Sequence, residues 1–450
     1  MTVQAQRTRP VLQAAPGLLG LIRGLPPVAM IYVICVALPL FFYAGPLLLS
    51  ALRLLLLVLI IPLTIQLLRG KYGRLILTDA MFVLFVLWMC ASLAQNNPNM
   101  VIQNAGSTGI EFLGGYLVGR ATIRTRQAFL GLCAFLPLIA LVTLPFALLE
   151  NRTGTPYIVQ FIHSLPGVFS VPRVDIPGRM GMERVQNVFA HPIHYGVYCA
   201  VTFSMVFIGL KGQIATATRW IVAALVGLGC FLALSSGALI ALMLQLFLIA
   251  WAFALQGVRT RWWWLLALGI LAYIVVDILS DRTPIRVFMS YATFSAHTAY
   301  WRGLIFEYGL QNALDNPLFG IGLNDWVRPD WMYGDSMDNY WLVLAVRHGF
   351  PAFGLVAVGY IYVLLRVIFR DLSADPGLAQ IRRTWALTFV GLTFALCTVH
   401  IWTNVHSFVL FLFGAGVWLI SEPAEAHGDT SAETGRTPPL PYSRFSKVNP

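Results

Sequence analysis

What most limits the folds open to this chain is a series of long apolar stretches that recurs, with short polar breaks, from residue 28 to residue 420. About 20 largely apolar residues cross the hydrocarbon core of a bilayer. Twelve intervals qualify: 28–44, 46–68, 76–94, 101–119, 127–149, 188–210, 219–235, 237–256, 262–279, 341–368, 384–402 and 404–420. No polar interval between them is long enough to build a separate soluble core. Composition agrees, with 58% apolar and 11% charged residues and a mean hydropathy of +0.74, where soluble domains hold roughly half and a quarter. The expectation is an all-α polytopic membrane protein of about twelve transmembrane helices, forming one integral domain over residues 28–420. Residues 1–27 precede it as a cytoplasmic segment without a removable signal peptide. Residues 421–450, polar and rich in Pro, Ser and Thr, follow as a tail too poor in apolar surface to order itself.

Charge sets the orientation. The net +11 sits in short clusters between apolar spans and forms no continuous stripe, so no nucleic-acid partner is expected. With the N-terminus in the cytoplasm, 20 of the 30 Lys and Arg residues fall on the inner side, all three lysines among them. Both termini are then cytoplasmic, and the ten outer basic residues are all arginine. Nine of these lie in two periplasmic loops, 150–187 and 280–349, the exception being Arg53. Guanidinium grips phosphate bidentately and keeps its charge; anchoring to anionic headgroups is the plainer role. Arg53 and Glu111 fall inside the second and fourth spans, where an unpaired charge is costly, and are expected to pair and lock two helices. Asp79 and Asp277 stand near span ends, within reach of water. The six cysteines lie in apolar segments without metal-type spacing and read as packing residues.

The two arginine-bearing loops hold the residues with chemistry. In the first, RVDIPGRMGMERVQNVFAHPIHYG runs into the sixth span, with Arg184 before it and His191 and His194 at its mouth. Two histidines three apart share a helix face, yet no further ligand stands at fixed spacing, so metal is not expected. Hydrogen bonds to a sugar, a phosphate or nearby backbone are the expected use. In the second loop, which carries Arg282, Arg286 and Arg302, the residues Tyr300, Trp301, Leu304, Ile305, Tyr308 and Leu314 recur at helical spacing. This reads as an interfacial amphipathic helix before the tenth span, ended by DNP at 315–317 and GIG at 320–322. The tenth span begins with Arg347, His348 and Pro351 in its first turns. Asp338, just before it, has two open roles, helix cap or acid–base group.

Four runs carry a family resemblance: IEFLGGYLVGR at 110–120, RVQNVFAHPIHYG at 184–196, RGLIFEYGLQNALDNPLFGIG at 302–322 and DNYWLVLAVRHGFPAFG at 338–354. In these runs and in its hydropathy layout the chain resembles the bacterial O-antigen ligase and polysaccharide polymerase family of integral membrane glycosyltransferases. The resemblance implies an inner-membrane enzyme without cofactor or metal, acting at the periplasmic face on an undecaprenyl-pyrophosphate-linked glycan donor and a glycan or lipid-linked acceptor. Membrane lipid, and other polysaccharide assembly proteins, would be its remaining partners. Arg184 and Arg302 match the family's pyrophosphate-binding arginines. Asp338, followed by Asn339, stands where ligases have a histidine, and this departure shifts the expectation towards an exopolysaccharide or O-antigen polymerase.

The transfer needs a base at the acceptor hydroxyl and charge stabilisation on the departing pyrophosphate. Asp338 or His348 is expected to serve as base, with Arg184 and Arg302 stabilising charge. Arg286, Arg347, His191, His194 and Asn339 are expected to bind substrate. Two alternatives stand beside the polymerase: a ligase that delivers the glycan to a lipid A-core acceptor, and a transporter of polysaccharide or lipid-linked oligosaccharide. Transporters often show two similar halves, and residues 28–210 and 219–420 do not resemble each other.

Overall fold

In the computed structural model, residues 17–45, 47–280, 287 and 296–421 are described. The chain is mostly helical. Short α1 (Leu18–Ile22) and α2 (Pro27–Ala37) lead into a small antiparallel hairpin, β1 (Phe41–Ala44) and β2 (Leu47–Ser50), with Phe41 opposite Ser50. Then come α3 (Ala51–Leu68), α4 (Leu77–Asn96), α5 (Gly106–Thr122), α6 (Arg126–Thr153) and α7 (Tyr157–His163). After a long irregular stretch follow α8 (Pro192–Ser204), α9 (Thr216–Leu232), α10 (Ser236–Ala254) and α11 (Arg261–Leu279). The rest is α12 (Ala296–Asp315), α13 (Tyr340–Ile368), α14 (Pro376–Leu396) and α15 (Thr403–Gly414).

A helix falls on each of the twelve apolar intervals, but among the described residues eight segments are both long and apolar enough to cross a membrane. The other intervals fall short for local reasons. α2 stops because Leu38, the residue before Pro39, is extended, and the chain turns into the hairpin where a continuous span over 28–44 is expected. α5 and α9 have 17 residues each, and α14 starts in the polar PGLAQIRR run, capped by Asp375, whose carboxylate accepts from the Gly377 and Leu378 amides.

Outward faces are apolar. Leu54, Leu57, Val58 and Ile61 of α3 are exposed, and α11 buries none of its residues. Such faces are stable where the solvent is lipid. Inside, helices meet through small residues. A Cβ on Gly114 of α5 would sit 2.9 Å from the Leu56 side chain, and at Gly115 and Gly119 it would collide with carbonyl oxygens of Ser407 and Phe411 on α15. The glycines of the IEFLGGYLVGR run are therefore packing residues. Arg53 Nε donates to Glu111 at 2.7 Å, tying α3 to α5 as expected. Asp79 departs from expectation: it is buried, paired with Arg120, and accepts from Tyr116 Oη at 2.7 Å and from the Ile76 amide at 2.8 Å.

Residues 301–353 build a second, smaller core. Trp301, Leu304, Ile305 and Tyr308 of α12 pack with Trp326, Met332, Leu342 and Val346, so the expected interfacial stripe is spent mainly on protein, while Tyr300 and Leu314 stay exposed. α13 is broken at Gly349, whose φ of +80° departs from helix. The carbonyls freed there are taken up by the 317–322 segment and by α4. Ile321 and Gly322 amides donate to Val346 and Arg347 oxygens at 2.9 Å each, and Trp88 Nε1 donates to the His348 oxygen at 3.0 Å. A Cβ at Gly349 would strike the Leu318 oxygen. The DNPLFGIG run thus closes a helix break.

Candidate functional site

The irregular stretch between α7 and α8 is held by the end of α6. Glu150, buried, accepts from the Gln186 amide at 2.7 Å and the Asn187 amide at 3.0 Å, while Asn151 Nδ2 donates to the Glu183 oxygen at 2.6 Å. The Val185 amide reaches the Leu232 oxygen at the end of α9, 3.2 Å away. Arg184 sits in the middle of this clamp, half-buried, its Nε without a hydrogen-bond partner. Five residues earlier, Arg179 pairs backbone with Met182, and its Nη1 donates to the Leu234 oxygen at 2.7 Å.

From the other side comes Arg302 of α12, 7% exposed, with Nε and Nη1 unpartnered. Asp338 lies just before α13. The cap of that helix is Asn339, whose Oδ1 accepts from the Leu342 amide at 3.1 Å. The capping role that the sequence left open to Asp338 is thus filled by its neighbour.

These four charged side chains share one field. Burial raises the Asp338 carboxyl above its ordinary range, and Arg302, Arg184 and Arg179 oppose that shift. Burial also pushes the Arg184 guanidinium down to about 10; Arg179 and Arg302 push the same way and Asp338 against. That value leaves Arg184 charged at neutral pH. Arg302 is lowered by burial too, with Asp338 opposing and Arg179 adding. Three cations thus converge on one carboxylate, brought from segments more than 100 residues apart in sequence. The guanidinium N–H groups of Arg184 and Arg302 that lack a hydrogen-bond partner can receive an anion with several oxygens.

Residues 221–357 match the O-antigen ligase family model. Those residues are an O-antigen ligase domain. No curated protein compared with the chain matches it. The resemblance read from the sequence is borne out over those residues, and the apolar helices mark an integral membrane protein. The O-antigen ligase domain contains Arg302 and Asp338, whereas Arg179 and Arg184 precede it. The cluster therefore joins the ligase domain to the helices before it.

Other expected site residues stand apart from this cluster or at its edge. His348 is buried beside α4, with its Nδ1 3.2 Å from Ser92 Oγ and Arg347 as its charged neighbour. Arg347 is exposed and shares a field with Asp335. Arg282 and Arg286 lie outside the described residues. His191 caps α8, its Nδ1 accepting from the Ile193 amide at 3.1 Å, and lies within the fields of Arg184 and Arg179. His194 is fully buried, and its ring centroid stands 4.1 Å from that of Trp402. Arg328, by contrast, is paired with Asp325 at 2.6 Å. Sequence reading passed over Arg179. The sign available was its place in a Gly- and Pro-broken run, five residues before Arg184, where a turn can bring two guanidinium groups to one face.

Proposed function

We propose that this protein polymerises undecaprenyl-pyrophosphate-linked glycan repeats at the periplasmic face of the inner membrane, with both termini cytoplasmic and twelve spans. The reading rests on one observation: among the described residues, Arg179, Arg184 and Arg302, from two loops, share the electrostatic field of Asp338. In this scheme Arg179, Arg184 and Arg302 hold the pyrophosphate of the donor. The acceptor hydroxyl oxygen bonds to the anomeric carbon as the bond from that carbon to the pyrophosphate oxygen breaks. The leaving undecaprenyl pyrophosphate keeps the electron pair, and the hydroxyl proton passes to the Asp338 carboxylate. Guanidinium groups fill the charge-neutralising role that a divalent cation has in other phosphate sites, so the transfer is metal-independent.

Delivery to a lipid A-core acceptor, the ligase reading, uses the same donor chemistry. Polymerisation is preferred because Asp338 stands where the ligases of the resemblance have histidine. In a purified, reconstituted system, Arg302→Ala is expected to cut the release of undecaprenyl pyrophosphate from a lipid-linked donor by about 10²–10³, as when one preorganised charge-stabilising donor is lost. Unimpaired release by a correctly inserted variant removes the arginine cluster from the reaction. Cells lacking the protein should accumulate single lipid-linked repeats; finished polymer that never reaches a carrier would instead mark a ligase.

A further inference from the structure

Beside the arginines lies a second wall of different chemistry. The segment 398–402, between α14 and α15, meets the first turns of α8 and α10. The Trp402 amide donates to His194 Nε2 at 3.4 Å, and a Cβ on Gly237 would come within 2.9 Å of Thr398 Oγ1. The Tyr340 amide, two residues after Asp338, donates to the Val399 oxygen at 3.1 Å.

Because His194 Nε2 accepts, the ring is neutral and its Nδ1 carries the proton. That Nδ1 has no partner, nor has His400 Nδ1, nor the hydroxyls of Ser235 and Ser236, although His194 and both serines are at most 3% exposed. Buried polar atoms are normally paired, and a cluster of unpaired ones calls for a cause. The backbone here is also strained. Among the described residues the four non-glycine residues with positive φ are Met180, Asn187, Leu234 and Thr403, each in a segment that shapes the arginine cluster or this wall. Trp402 and His191, only partly buried, form the rim, and their rings stand 5.7 Å apart. Through His191 the wall adjoins Arg184 and Arg179.

Hydroxyl and neutral imidazole groups next to aromatic rings suit a neutral ligand dense in hydroxyls, whereas the arginines suit a diphosphate. We propose that His194, His400, Ser235 and Ser236 bind the acceptor glycan through its sugar hydroxyls and present its terminal hydroxyl to Asp338. The assignment of this ligand as acceptor rests on the proposed function; the saccharide site itself does not.

The test is direct binding to the full-length protein in nanodiscs, read by saturation-transfer NMR. The probe is neutral glycan released by mild acid from the lipid-linked repeats of the producing cells. Wild type and Arg302→Ala should bind it alike. The double variant Ser235→Ala/Ser236→Ala should bind about tenfold more weakly, the scale of one or two lost hydrogen bonds. His400→Leu, on a separate segment, should do the same and guards against local misfolding of either variant. No binding by wild type overturns the site, as does unchanged binding in both wall variants or a loss that Arg302→Ala shares. If glycan binds as expected while no undecaprenyl pyrophosphate is released, the saccharide site stands and the transferase reading fails.

Discussion

Two kinds of charge cluster occupy this membrane protein, and they differ in balance. Arg53 with Glu111, and Arg120 with Asp79, are one cation to one anion, packed between helices and braced by further bonds to the Leu48 and Arg74 oxygens and from Tyr116 and the Ile76 amide. Among the described residues, Arg179, Arg184 and Arg302 share the field of Asp338, and guanidinium nitrogens of Arg184 and Arg302 remain unpartnered. A balanced pair in hydrocarbon holds helices together; an unbalanced, underpartnered one costs stability unless something else completes it. The contrast separates architecture from chemistry without reference to any relative. Glu111→Leu should therefore destabilise the protein by about 3–5 kcal/mol, the usual effect of stranding one member of a buried pair. Adding Arg53→Met should restore most of the loss. Thermal unfolding in detergent reads both, and a Glu111→Leu protein that melts like wild type would erase the distinction between the clusters.

The opposite pattern is expected at the unbalanced cluster. Arg179→Ala should lower glycosyl transfer by about 10², the low end for removing one charge-stabilising donor. Its melting temperature should change little, because relief of like-charge repulsion offsets the lost bond to the Leu234 oxygen. Arg179 is the informative choice, since it precedes the ligase domain and was not apparent from sequence. Full activity joined to a lower melting temperature would turn it into a structural residue, tied to α9 and α10 through the Leu234 oxygen.

Sequence carried the architecture further than the site. Hydropathy reports which stretches prefer lipid, so helices fell on all the expected intervals, but it is blind to backbone detail such as the hairpin after Pro39 or the break at Gly349. His348, expected as an alternative base to Asp338, lies ten residues beyond it, and the chain reversal stitched by Ile321 and Gly322 leaves it against Ser92. The amphipathic stripe of α12 was legible as a helix face, yet a stripe does not say whether lipid or protein covers it; here Trp326 and Leu342 do. Arg184 and Arg302 were reached through resemblance and chemistry. Their convergence depends on Glu150 and Asn151 gripping one loop and on α12 lying on α13, contacts between residues distant in sequence that no local pattern encodes.

The smallest expected effect lies in the pH response, which tests the anion of the unbalanced cluster. Burial raises the Asp338 carboxyl and the three arginines only partly reverse it, so the folded protein holds that proton more tightly than an unfolded chain with its ordinary value of about 3.9. By linkage, the contribution of Asp338 to stability is fully present below that ordinary value and is lost as pH rises through the folded one. The active form for accepting a proton appears over the same interval. The acid limb of kcat/KM should accordingly lie above the ordinary aspartate range, and Asp338→Asn should abolish the limb together with most of the activity. A limb at or below about pH 4 would mean that the arginines outweigh burial, leaving a carboxylate that balances charge and takes no proton from the acceptor.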